Sequence, residues 1–139
     1  MKKQVRKLYL ILAIIGGVGI SCERVEPFTP QVQPTFSSIQ QNVFSINCAL
    51  SGCHAGSSPQ QGMNLSDGQA YSNIVNIPSM ERPTLFRIDP DNADSSYLFM
   101  KITGASTIVG SQMPLGGPQL SVEKINAIRE WIESGAANN

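Results

Sequence analysis

Histidine and cysteine are scarce in this chain. Its 139 residues include one histidine, three cysteines and one tryptophan. A single histidine excludes a second imidazole from any metal or catalytic site. Charge is also sparse, at 14% of residues, with ten basic residues against ten acidic. That balance offers no basic face of the kind a nucleic-acid partner requires, and none is expected. No acid–base pair or nucleophile–base arrangement stands out, so an independent enzyme is not expected. The apolar run Leu8–Ile20, roughly 13 residues long, falls short of the about 20 needed for a membrane-spanning helix.

What is present begins with address. Lys2, Lys3, Arg6 and Lys7 crowd the N-terminus without an acidic residue, and the apolar run follows at once. A basic segment leading into an apolar one reads as a signal peptide over 1–21. The run ends Val18-Gly19-Ile20-Ser21-Cys22, after which the composition turns polar. This resembles the lipobox of bacterial lipoproteins, with Gly19 where that family prefers leucine. The resemblance implies cleavage before Cys22 and lipidation of its thiol. It places the protein in the bacterial cell envelope, periplasm-facing or at the cell surface, and tied to the membrane by a lipid anchor. Removing 1–21 takes away four basic residues and leaves a net charge of −4. Outside the cytoplasm both disulfides and covalent haem attachment are permitted. Residues 22–35, with Pro27, Pro30 and Pro34, read as an extended spacer.

From Thr35 the pattern becomes helical. Phe36, Ile39, Val43 and Ile46 recur at spacings of three and four, with Thr35 placed to cap the start. Ser66 and Gln69 fit a capping box opening a short helix through Tyr71, Ile74 and Val75. Residues 76–90 read as irregular, with 84–88 extended. A third helix is expected from Asp91 or Asn92, with Tyr97, Leu98, Met100 and Ile102 as its apolar positions and Gly104 as its stop. Ser121 caps the clearest helix, whose buried stripe is Ile125, Ile128, Trp131 and Ile132 and which Gly135 ends. The expectation is an all-α domain over 36–137, about four helices joined by long Gly/Pro loops. So much loop leaves a thin core that a cofactor would fill.

The chemistry is concentrated in Cys48-x4-Cys53-His54. Three readings fit it: covalent haem attachment, a Cys48–Cys53 disulfide, or part of a zinc site completed by a carboxylate such as Asp67. In the haem reading the histidine beside the second cysteine becomes an axial ligand. With no second histidine, the other ligand would be a methionine. Met63 stands close to His54 in sequence, Met80 lies in a polar loop, Met100 lies in an apolar stripe, and Met113 precedes Pro114 in a glycine-rich loop. Arg82 and Arg87 are candidates for haem propionates, with solvated surface charge as their default.

The ordered set of motifs resembles the monohaem class I cytochrome c family, and more closely a bacterial cytochrome c-like group. The residues carrying this are Cys48 to Gly56, Leu65 to Tyr71, Ser96-Tyr97-Leu98, Gln112-Met113-Pro114 and Ile128 to Ala136, spanning roughly 36–137. The family's attachment loop is usually two residues between the cysteines; here it is four. The resemblance implies one covalent haem c, with Cys48 and Cys53 as thioether residues, His54 as proximal and Met113 as distal iron ligand. It implies a cytochrome c-like fold in which the first and last helices meet, with Trp131 near the porphyrin. The function it implies is single-electron transfer between redox protein partners, a donor and an acceptor. A cofactor-free, disulfide-closed lipoprotein binding module and a haem-based sensor or small-ligand binder are the competing functions.

Overall fold

The computed structural model describes residues 31–139. The expected signal segment, Cys22 and the spacer as far as residue 30 lie outside the described residues. The fold is all-α. Among the described residues there are no strands, only two isolated bridges, Val75 with Ile88 and Pro78 with Phe86. These bridges are what the extended reading of 84–88 amounts to.

Helix α1 begins as an α-helix over Phe36–Ile39 and continues as a π-helix over Gln40–Cys48. Thr35 caps it as expected, its Oγ1 accepting from the Ser38 N–H at 3.3 Å. Just inside, Asn42 Nδ2 donates to the Ser38 carbonyl at 2.9 Å. A side-chain donor thus competes for a ladder carbonyl where the winding changes. The π-winding corrects the expected helical face. With i→i+5 bonding each turn takes more residues, so Ile39, Val43, Phe44 and Cys48 come onto the inner side. Ile46, expected inside, is 58% exposed.

Helix α2 spans Ala70–Ile74 and starts later than the capping-box reading implies. Gly68 has φ +71°, which no continuous right-handed helix can pass through. Ser66 to Gln69 therefore form a turn, the Ser66 carbonyl accepting from the Gln69 and Ala70 N–H groups. The third expected helix is split. Asn92 Oδ1 caps a 3-10 turn over Ala93–Ser95, Ser96 is extended, and α3 runs over Tyr97–Thr103. Gly104 ends α3 in the left-handed conformation. Phe99 is buried on α3, whereas Met100 is only half-buried. Helix α4, Val122–Glu133, starts on Ser121, whose side chain accepts from the Lys124 N–H. Its stripe holds, with Ala127, Ile128, Trp131 and Ile132 buried and Ile125 half-buried.

Helices α1 and α4 pack together through rings. Phe36 lies 5.7 Å from Trp131, 5.1 Å from Tyr71 and 6.5 Å from Phe44, centroid to centroid. Such pairs contribute about 0.5–1.5 kcal/mol each beyond their buried area. The segment after α4 wraps back over this cluster. Trp131 Nε1 donates to Ala137 O at 2.8 Å and the Tyr71 hydroxyl to Ala136 O at 3.0 Å. Asn139 accepts from the N–H groups of Phe36 and Ser37, which the first turn of α1 would otherwise leave unpaired. Ahead of α1, Val32 is buried and its N–H donates to Glu123 Oε1 at 2.8 Å, so the packed domain already includes Val32.

Candidate cofactor site

Cys48 closes the π-helix, and its place follows from that winding. It is half-buried and packs against the core. Desolvation pushes its thiol up to about 11, against the opposing charge of Lys124. Lys124 Nζ donates to Asn47 Oδ1 at 2.9 Å, tying α4 to the residue before Cys48. The four intervening residues make a turn, with Cys53 N–H donating to Leu50 O at 3.0 Å and Gly52 at φ +80°. Cys53 is exposed, and both thiols are free.

His54 is fixed from its backbone and its ring. Its N–H donates to Cys48 O at 3.3 Å and its carbonyl accepts from the Leu65 N–H at 2.8 Å. Ring atom Nδ1 lies 3.2 Å from the Met63 carbonyl. A carbonyl only accepts, so this contact places the proton on Nδ1 and leaves Nε2 with a lone pair. Burial pushes the His54 pKa down, opposed by the Met63 and Gln60 carbonyls. A neutral imidazole with Nδ1 held by a carbonyl is the state in which histidine binds a metal.

The segment carrying Met113 hangs from α3. Met113 N–H donates to Lys101 O at 2.9 Å, and Gln112 Nε2 donates to Ile102 O at 2.8 Å. Gln112 lies over Gly104, where a Cβ would stand 2.6 Å from Gln112 Oε1. Met113 is half-buried and packs against the core.

These pieces meet at one cleft. Its cavity volume is about 80 Å³, and the cleft is open at one side. Cys48, His54 and Met113 all line it, although Met113 comes from a segment roughly 60 residues downstream. Val43, Phe44, Leu65, Leu98, Ile102, Leu120 and Ile128 make its apolar wall. Cys53 is not in the lining, and Trp131 lies in the aromatic core instead.

Met63 and Met80 also line the cleft. Their positions were illegible in the sequence, because the loop after His54 folds back on hydrogen bonds between residues far apart in the local pattern. Met80 is 62% exposed and its sulfur lies over Gly62, 3.2 Å from where a Cβ would stand. Met100 is not in the lining.

The polar edge of the cleft departs most from expectation. Arg87, whose default was surface charge, is only 7% exposed and lines the cleft, while Arg82 is exposed. Arg87 Nη1 donates to Asn73 O at 2.8 Å and to Gly62 O at 3.4 Å, and Nη2 donates to Gln61 O at 2.8 Å. Burial pushes the guanidinium below its ordinary value. Beside it, Lys101 Nζ lies 3.2 Å from Glu81 Oε2 and donates to Val109 O at 2.7 Å. The Tyr97 hydroxyl donates to Glu81 Oε2 at 2.9 Å and accepts from the Val109 N–H. Among the described residues no three His, Cys, Asp or Glu side chains converge, so the zinc arrangement with exposed Asp67 is not assembled.

The donor set and apolar wall fit a haem: one thiol and one neutral imidazole from the same motif, with thioether sulfurs among the other lining groups. No protein-family model, curated protein or solved structure matches this chain.

Proposed function

We propose that this protein is a monohaem c-type cytochrome, an exported electron carrier of cytochrome c-like fold tied to the bacterial envelope membrane through a lipidated Cys22. The observation carrying this reading is the convergence of Cys48, His54 and Met113 on one apolar cleft, with the Nδ1 of His54 already engaged by a carbonyl. Cys48 and Cys53 would hold the group as thioethers, with His54 as proximal and Met113 as distal ligand. When bound, haem supplies an iron that cycles between ferrous and ferric. The chain's own part is positional and electrostatic. The Met63 carbonyl orients His54, the α3 carbonyls hold the Met113 segment, and the apolar wall keeps water from the centre and so sets the potential. Partners would be a donor and an acceptor protein in small, transient contacts.

The test is an absorption spectrum of the protein exported by cells with haem-maturation machinery, oxidised and reduced, before and after denaturation. Haem that stays with the denatured chain is expected. A colourless, folded product with a Cys48–Cys53 disulfide overturns the reading and leaves the cofactor-free binding module. Met113→Ala is expected to remove the methionine-ligation spectral features and lower the reduction potential. Because Met63 and Met80 share the cleft, an unchanged spectrum moves the ligand to one of them. A spectrum showing an open iron position in the unaltered protein selects the ligand-binding sensor.

A further inference from the structure

Two thioethers of the cleft take no part in the haem ligation proposed above. Met63 and Met80 line it beside Cys48, His54 and Met113. The loop after His54 gathers both toward the imidazole. The Met63 carbonyl lies 3.2 Å from His54 Nδ1. Met80 Sδ lies over Gly62, the residue before Met63, 3.2 Å from where a Cβ would stand. Arg87 pins this loop through the Gln61 and Gly62 carbonyls. Cys48 joins from the other side of the motif, its carbonyl accepting from the His54 N–H at 3.3 Å.

The side-chain oxygens at the cleft are already engaged. Glu81 is paired with Lys101 and accepts from Tyr97, and Ser79 Oγ accepts from the Arg82 N–H. Hard cations need oxygen ligands, whereas thiolate and thioether sulfurs select Cu(I). Charge points the same way. Arg87 is a buried cation at the edge of the cleft, and a guanidinium keeps its charge. A divalent ion would add to that positive charge. A Cu(I) ion bound with the Cys48 thiolate adds none. A single ion also fits within a cavity of about 80 Å³.

We propose that the haem-free chain binds one Cu(I) ion in this cleft, through Cys48, His54, Met63 and Met80. On binding, the Cys48 thiol gives its proton to solvent and a copper–sulfur bond takes the place of the S–H bond. Copper arrives and stays in the cuprous state, so no electron is transferred. Because Cys48 and His54 serve both ligands, one copy of the chain takes copper or haem, never both. The inference goes beyond the haem reading and does not depend on it.

The experiment takes the full-length chain made without haem, its cysteines reduced, and titrates it anaerobically with Cu(I) held by a coloured Cu(I)-specific chelator. Withdrawal of one Cu(I) per chain is expected. Met80→Leu alters an exposed side chain, and Met63→Leu conserves volume, so both variants should fold. Each is expected to weaken binding at least about tenfold, since even the groups behind metal ligands matter by that much. Met100→Leu, outside the cleft, is expected to leave the affinity unchanged. Cys53→Ser is the deciding arm, because two cysteines and a histidine can hold Cu(I) without any cleft. Cys53 is exposed and not in the lining, so binding is expected to survive its loss. No transfer of copper from the chelator overturns the proposal. So does binding that Cys53→Ser abolishes, or that both Met63→Leu and Met80→Leu leave unchanged. Haem is read separately, from the spectrum of the exported protein. A failure of copper binding therefore leaves the haem reading standing, and a colourless exported protein leaves this proposal standing.

Discussion

Around Trp131 the chain is held by rings and aliphatic side chains, while around His54 it is held by backbone hydrogen bonds between loops. The first region packs Phe36, Phe44, Tyr71 and Trp131 between α1, α2 and α4. The second relies on Leu65 N–H to His54 O, Met113 N–H to Lys101 O, and the carbonyls around Arg87. Non-directional burial tolerates small displacements, whereas hydrogen bonds fix distance and angle. Ring packing therefore sets the frame around Trp131, while hydrogen bonds between loops fix where His54 and Met113 stand.

The sharpest way to break that division is Trp131→Ala. A fully buried indole lost from the ring cluster is expected to cost about 3–5 kcal/mol, read by chemical denaturation. A loss under about 1 kcal/mol would show that the frame does not carry the fold. Gly104→Ala comes next and probes the joint between the two regions. At φ +71° an added Cβ is expected to cost about 1–2 kcal/mol and to displace Gln112. If the proposed haem is bound, the Met113 ligation features should weaken with it, while Trp131 fluorescence stays native-like. The smallest expected effect comes from His54. Its folded pKa lies below its ordinary value, so above the ordinary value it is neutral in both states and has no effect. As pH falls through about 6.5 the unfolded chain takes the proton first, and the haem-free protein loses stability until the folded pKa is passed. His54→Gln should flatten that part of the pH–stability curve; an unchanged curve would mean that another group sets it.

The frame was more legible than the cleft. Thr35, Ser121, Gly104 and Gly135 bound helices because capping and left-handed stops are local chemistry, readable from adjacent residues. Ile128, Trp131 and Ile132 followed from helical spacing. The position of Ile46 did not, because the spacing was read with an α-helical pitch. The Ser66 capping box failed because Gly68 turns the chain out of helical geometry. In the cleft, Cys48, His54 and Met113 were found from their chemistry and order. Arg87 and Met63 appeared in the sequence only as secondary candidates, since what brings them inward is bonding between loops, which leaves no periodic trace.

The winding of α1 also bears on how the chain tolerates changes in length. A π-helix takes more residues per turn than an α-helix. The stretch Gln40–Cys48 therefore holds slack between two pinned points, Thr35 at its cap and Cys48 at the cleft. A residue removed there is absorbed by a return toward α-winding. A residue removed between Cys48 and His54 has no such reserve, because the turn through Gly52 is already closed by its own hydrogen bond. Length is thus negotiable before the first cysteine and rigid after it.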